Sequence, residues 1–196
     1  MTRRIGTCAV GPVGLGCMSL SWGYGAIPEE ADALALLNAA LDHGYDHLDT
    51  ANIYGLGHNE TLIGKALKGR RDEYFLATKT GIVIEGPSRG VDCSPDAIRR
   101  NIDDSLRRLQ TDHVDLYYMH RFDPKVPVAD MAGAMGELIA AGKIGGYGVS
   151  EWSSAHIREA HAVTPMLAVQ TEYSLWSRQA EIAVLDTCRE LGITFV

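Results

Sequence analysis

Two hydrophobic rhythms alternate along the chain. Short runs in which nearly every residue is apolar read as strands buried on both faces. Longer stretches with apolar residues three or four apart read as amphipathic helices. The strand-like runs fall at about 13–18, 47–51, 74–79, 114–119, 146–149, 166–169 and 193–196, and a further extended run over 5–10 is separated from the first by Gly11-Pro12. Pro28, Glu29 and Glu30 suit a helix start, with Leu34, Leu37 and Leu41 on one face and Gly44 as the stop. A second helix begins near Asn59, turns Leu62, Ile63, Ala66 and Leu67 inward and stops at Gly69. Ser94-Pro95-Asp96 caps a third, whose stripe of Ile98, Ile102, Leu106 and Leu109 is flanked by Arg99, Arg100, Arg107 and Arg108. A fourth, about 128–141, turns Met131, Met135, Leu138 and Ile139 inward. A fifth covers about 154–162, and a sixth, about 179–191, carries Ile182, Leu185 and Cys188 on its apolar face. The glycine- and proline-bearing 81–93 reads as one long loop, and loops of that length are often functional.

Seven strands alternating with six helices imply a parallel sheet covered by helices. The alternation alone fits an open doubly wound sheet as well as a closed barrel. Asp49, Lys79, His120, Ser150 and Gln170 all stand where a strand gives way to a loop. In a barrel those ends converge on one rim, whereas in an open sheet they spread along an edge. The expectation is therefore an α/β fold of the TIM (β/α)8 barrel type, with about seven strands and six helices in one incomplete domain over 1–196. The glycines of 14–18 are not a dinucleotide fingerprint, which needs G-x-G-x-x-G opening a helix directly after a strand. Here a loop through Ser19, Trp22 and Tyr24 intervenes.

Composition narrows the class. A length of 196 residues suits one domain that buries about 70% of its unfolded surface. A formal net charge of −7 argues against a general nucleic-acid surface, though not against an anionic cofactor held by a local field. No apolar run approaches the roughly 18 residues of a membrane span. The start, Met1-Thr2-Arg3-Arg4-Ile5, has no long apolar segment behind it, so no signal peptide is expected. Cys8, Cys17, Cys93 and Cys188 are scattered without a C-x-x-C pair, which fits reduced thiols in a cytoplasmic protein.

The chemistry gathers first in 47–54, H-L-D-T-A-N-I-Y, where the Asp49 carboxylate and the Tyr54 phenol share one short segment. Asp is depleted in strands, so one at a strand end needs another reason to be there. Taken singly, each candidate has a plain reading. Lys79 is a lysine lying along a strand end, His120 a satisfied core histidine or loop cap, Tyr54 packing, and Asp49 an acceptor for a helix start. Taken together at consecutive strand ends, they suit reduction of a carbonyl. Tyr54 would donate a proton to the alkoxide formed when hydride reaches the carbonyl carbon. A free phenol, with a pKa of about 10, exchanges protons poorly near neutral pH, and an adjacent ammonium favours the phenolate, a task for Lys79. Asp49 would hold that ammonium charged, and His120 would hydrogen-bond to the carbonyl oxygen and orient it. A metal reading of His43, His47, Asp49 and His120 is weaker. His43 falls on a turn at the opposite rim, and no tight ligand spacing occurs, so no metal site is expected.

With these residues in view, the chain resembles the aldo-keto reductase superfamily from about Gly14 to Val196. L-D-T-A-x-x-Y at 48–54, A-T-K at 77–79, D-L-Y-Y-M-H at 115–120, G-V-S-E-W at 148–152 and Q-T-E-Y-S-L at 170–175 recur in order. The resemblance implies a TIM-type barrel, NADPH (NADP) bound across the carboxyl rim, and a catalytic tetrad of Asp49, Tyr54, Lys79 and His120. It lies nearest the bacterial, fungal and plant branches that begin G-L-G-C-M and reduce pyridoxal or other small aldehydes. By position it implies that Ser150, Glu151 and Gln170 hold the nicotinamide carboxamide, with Gly16, Cys17 and Met18 along the ring's edge and Asp49 among the cofactor contacts. Many members have Asn where Glu151 stands, and an ionised carboxylate accepts hydrogen bonds without donating them. Trp22 and Tyr24 join Tyr54 and His120 as substrate-pocket candidates, with packing of the first loop as the alternative for the two aromatics.

Members of that family continue past the seventh strand with an eighth strand and further helices. Relative to them the chain is expected to lack those parts, along with the groups that hold the cofactor's pyrophosphate and 2'-phosphate. The edges at 13–18 and 193–196 would then be unpaired and prone to association. The implied partner is a small carbonyl substrate, with no nucleic acid and no membrane. Two other readings stay open: an NADPH-binding regulatory subunit of the potassium-channel beta type, and an inactive fragment.

Overall fold

The computed structural model describes residues 3–86 and 88–196. Met1 and Thr2 of the N-terminal stretch, and Pro87 within the expected 81–93 loop, lie outside the described residues. In chain order the elements are β1 (Arg3–Ile5), β2 (Cys8–Val10), β3 (Leu15–Gly16), α1 (Glu30–Asp42), β4 (His47–Asp49), α2 (His58–Ala66), β5 (Phe75–Thr80), β6 (Ile82–Glu85), β7 (Ser88–Val91), α3 (Pro95–Leu109), β8 (Leu116–Met119), α4 (Val128–Ala140), β9 (Tyr147–Ser150), α5 (Ser154–Val163), β10 (Ala168–Gln170), α6 (Val184–Leu191) and β11 (Thr194–Phe195).

Seven of the strands make one curled parallel sheet in the order β11-β10-β9-β8-β5-β4-β3. This is the strand–helix alternation of a (β/α) barrel, and the barrel-type fold expected from the polar residues at the strand ends is observed as a curled half-barrel of seven strands. Among the described residues β3 pairs only with β4, and β11 only with β10. A cavity of about 710 Å3 lies between these two edges, bordered by Gly16, Asp49, Gln170 and Phe195 among others.

Strand parity divides the interior in two. Leu48, Leu76, Tyr117, Met119, Val149 and Val169 face the helices and share a core with Leu37, Ile63, Ile98, Ile102, Met131 and Ile157. Phe75, Ala77, Leu116, Tyr118 and Ala168 face the concave side, against Ile5 and Val10 of the antiparallel β1–β2 hairpin. The expected stripes on α1 to α4 hold, and truncating a fully buried member such as Leu37 to Ala would cost about 2–5 kcal/mol. Ser94 caps α3 by accepting from the Ala97 amide at 3.3 Å. Helices α2 and α3 approach so closely at Gly64 that a Cβ there would stand 2.4 Å from the Arg108 carbonyl oxygen.

Three local expectations are corrected. Segment 81–93 is not one irregular loop, because β6 and β7 pair as a hairpin from Ile82↔Val91 to Glu85↔Ser88. The β-branched run Ile82-Val83-Ile84 supplies the strand propensity that the flanking glycines concealed. The sixth helix begins at Val184, after a separate 3-10 turn over Gln179–Glu181. Ala183 leaves helical geometry between them, so Ile182 is out of phase with the α6 stripe and is 84% exposed. The 5–10 run is not one strand either, since it bends back after Ile5 at Gly6, whose φ is +57°.

Candidate active site

The register of the parallel sheet sets the polar strand ends side by side. Asp49 pairs with Ala77, and Lys79, two residues further along β5, pairs with Tyr118. Residues two apart on a strand share a face, so Phe75, Ala77 and Lys79 all point to the concave side. There Lys79, 1% exposed, donates to Asp49 Oδ1 and, at 2.9 Å, to the Thr50 carbonyl. Its Nζ lies 5.4 Å from the centre of the Tyr54 ring. The Tyr54 and His120 rings meet edge to face with centroids 5.9 Å apart. The structure thus brings together all four residues that the strand ends nominated.

Tyr54 owes its place to the turn beneath it. The chain reverses through Gly55, Leu56 and Gly57, all at positive φ. Buried Asn59 ties that turn to the first loop, donating to the Cys17 carbonyl and to Ser21 Oγ at 2.8 Å each and accepting from Thr50 Oγ1 at 2.6 Å. Nothing in the sequence pattern announces this support, since Asn59 there marks only a helix start.

Burial, with Lys79 and then Arg121 adding to it, pushes His120 down to about 3, so the imidazole is neutral at physiological pH. Its Nδ1 is buried and has no partner among the described residues. Arg121 Nη1 donates to the His120 carbonyl at 2.6 Å and to Ser150 Oγ at 3.2 Å.

The remaining expected residues fall into place unevenly. Ser150 and Gln170 are register partners on β9 and β10, and Gln170 Nε2 donates to Asp49 Oδ2 at 2.9 Å. Glu151 sits just beyond at φ +59°, exposed, with Oε1 accepting from the Glu172 amide at 2.8 Å. Gly16 borders the 710 Å3 cavity, and a Cβ added there would meet nothing within 4 Å. Cys17 departs from its expected place on a ligand's edge. With Gly16 turned to the concave side, parity sends the Cys17 side chain into the helix-facing core, where it is 1% exposed. Burial pushes its thiol up to about 12, its amide donates to the Asp49 carbonyl at 2.9 Å, and its carbonyl is taken by Asn59.

A second cavity, of about 410 Å3, opens over Tyr54 and His120 and is lined by Met18, Trp22, Tyr24, Ile53 and Ile82. The four substrate-pocket candidates therefore share one space. Arg89 and Arg121 complete it, and neither stands out in the sequence. The Arg89 guanidinium lies 4.4 Å over the Trp22 ring. Among the described residues no three His, Cys, Asp or Glu side chains gather to hold a metal ion, and no helix is long and apolar enough to cross a membrane.

The sequence pattern of the Aldo/keto reductase family matches residues 12–196. Over 189 residues the chain is 41% identical to Probable aldo-keto reductase 1 of Glycine max, a match that takes in 95% of this chain and 55% of that protein. The chain thus spans about half the length of this curated relative. The holo form of aldo-keto reductase AKR11C1 from Bacillus halodurans superposes with a TM-score of 0.89 at 36% identity, covering all of this chain and 64% of that one. Glycerol dehydrogenase AKR11B4 from Gluconobacter oxydans superposes with a TM-score of 0.90 at 32% identity, covering all of this chain and 62% of that one.

Proposed function

The chain belongs to the aldo/keto reductase family, and from that premise we propose that it forms the catalytic rim of a cytoplasmic, NADPH-dependent reductase of aldehydes or ketones. The observation that carries this reading is the Lys79 ammonium, buried between the Asp49 carboxylate and the Tyr54 ring with His120 alongside. The residues present fit the nicotinamide end of the cofactor. Gly16 leaves open space where a side chain would intrude, and Ser150 and Gln170 place hydrogen-bonding groups at neighbouring strand ends. A relative solved in its holo form supports the same reading. Met18 lines the 410 Å3 cavity over Tyr54, Cys17 supports the region only through its backbone contacts with the Asp49 carbonyl and the Asn59 side chain, and Glu151 would offer its second carboxylate oxygen as an acceptor.

A reduced nicotinamide bound there would supply a hydride to the carbonyl carbon. The chain's own part is the proton and its control. Tyr54 gives its phenolic proton to the carbonyl oxygen, which closes the balance from carbonyl to alcohol. The Lys79 ammonium offsets the charge left on the phenolate, and Asp49 offsets the charge of Lys79 in turn. Neutral His120 offers a ring N–H to the carbonyl oxygen and fixes its direction, a form of stabilisation worth most in a water-poor site.

The test is a steady-state assay of NADPH consumption by the polypeptide that carries this chain, with a panel of small aldehydes and ketones. Turnover of at least one is expected. Tight NADPH binding without turnover of any would overturn the enzymatic reading and favour a regulatory one.

A further inference from the structure

The charge of the 410 Å3 cavity sets it apart from the rest of the molecule. The chain carries 25 acidic and 18 basic residues, yet among the described residues the cavity lining includes Arg89 and Arg121 and no carboxylate. Lys79 beneath it is matched by Asp49, and His120 is neutral, so among the described side chains the two guanidiniums have no countercharge. Arg121 spends only Nη1 on the His120 carbonyl and Ser150 Oγ, and its Nη2 and Nε have no partner among the described residues. Arg89 stacks over Trp22 and, among the described side chains, makes no ion pair. Stacking fixes the plane of a guanidinium while leaving its edge free for hydrogen bonds. Planar forks of this kind receive carboxylate or phosphate oxygens in pairs. The volume is at the small end for a ligand pocket, and the apolar side chains of Met18, Ile53 and Ile82 line the same space as the proton donor and the arginines.

We propose that this cavity selects short carbonyl substrates bearing a carboxylate or phosphate, received by Arg89 and Arg121 while the carbonyl oxygen faces Tyr54 and His120. The inference rests on the reductase reading for its carbonyl half, while the anion site stands on the arginines alone. The substrate's charge would add one or two charge-assisted hydrogen bonds, a preference of about tenfold to hundredfold over a neutral analogue.

Two measurements on the full polypeptide separate the two halves. In the first, kcat/KM is compared for succinic semialdehyde against butanal and for glyceraldehyde 3-phosphate against glyceraldehyde. The charged member of at least one pair should be favoured about tenfold or more, and the favoured pair identifies carboxylate or phosphate as the anion. Arg89→Gln should reduce that ratio about tenfold, and Arg89→Lys should restore part of it. In the second, which needs no turnover, butyrate and inorganic phosphate are titrated calorimetrically against 1-butanol. At least one anion should bind more tightly than the alcohol and weaken with Arg89→Gln and with added salt. Equal kcat/KM within both pairs, or anion binding unmoved by Arg89→Gln, overturns the inference. Anion binding that depends on Arg89 without turnover of any aldehyde defeats the reductase reading and leaves the anion site in place.

Discussion

Gln170 donates from Nε2 to Asp49 Oδ2 at 2.9 Å across 121 residues of sequence. Both oxygens of the Asp49 carboxylate are therefore engaged, one by Lys79 and the other by Gln170. A carboxylate held on two sides keeps a single orientation, and so does the ammonium it faces. The position of Lys79 beneath Tyr54 follows from contacts made on three strands that are not all neighbours in the sheet.

Tyr54→Phe removes the phenolic proton and keeps a ring to pack against Ala51 and Ile53. Loss of a general acid should lower kcat about 100-fold or more. NADPH affinity, followed by fluorescence titration, should stay within error of the parent. Near-normal aldehyde reduction would remove Tyr54 from the mechanism.

Lys79→Met leaves Asp49, only 16% exposed at its side chain, without its cation. Breaking one side of a buried pair costs about 3–5 kcal/mol, so the urea midpoint should fall together with the activity. Pairing the change with Asp49→Asn should recover much of the stability and none of the turnover. A Lys79→Met protein as stable as the parent would mean that the ammonium is far better solvated than its burial implies.

The low affinity of His120 for a proton makes stability depend on pH in a definite direction. The unfolded chain protonates this histidine below about 6.5, whereas the folded chain resists until about 3. Its contribution is complete above 6.5 and is lost as pH falls through that window, by at most about 1.4 kcal/mol per unit. His120→Asn should lose less stability than the parent between pH 7 and pH 4 in urea titrations. Parallel losses in the two proteins would contradict a neutral buried imidazole.

Glu151 occupies left-handed space at φ +59°, a region that costs most non-glycine residues about 1–2 kcal/mol and that Asn tolerates better. Glu151→Asn should therefore raise the melting temperature modestly. Calorimetry that shows a lower one would mean that the contact from Glu151 Oε1 to the Glu172 amide outweighs the strain.

The strand ends are legible in the sequence because packing alone rarely closes an apolar run on a single polar residue. Asp49, Lys79 and His120 need only the strand period and the convergence of parallel strands to be placed together. Cys17 is misplaced when the glycine-rich segment 14–18 is treated as a block, although a period of two already sends neighbours to opposite faces. Arg89 is hidden by glycines at both ends of the β6–β7 hairpin, which make a strand look like a loop. Arg121 stands beside His120 without any local signal of where its side chain will go. The Gln170–Asp49 bond depends on sheet order, which no local pattern encodes, and Ile182 is lost to a helix break at Ala183 that carries no glycine or proline to announce it.

The linear order of the sheet has a consequence for how its amide protons exchange with solvent. Protection reflects how many neighbours must separate before a backbone N–H is freed. Strands β5 and β8 lie inside the sheet and pair with each other over four residues, whereas among the described residues β11 contributes two residues to a single neighbour. Deuterium should therefore enter at β3 and β11 within the earliest time points and reach β5 and β8 last. A polypeptide that seats a further strand between β3 and β11 would flatten that gradient, so an exchange map reads directly whether those two edges are covered in solution.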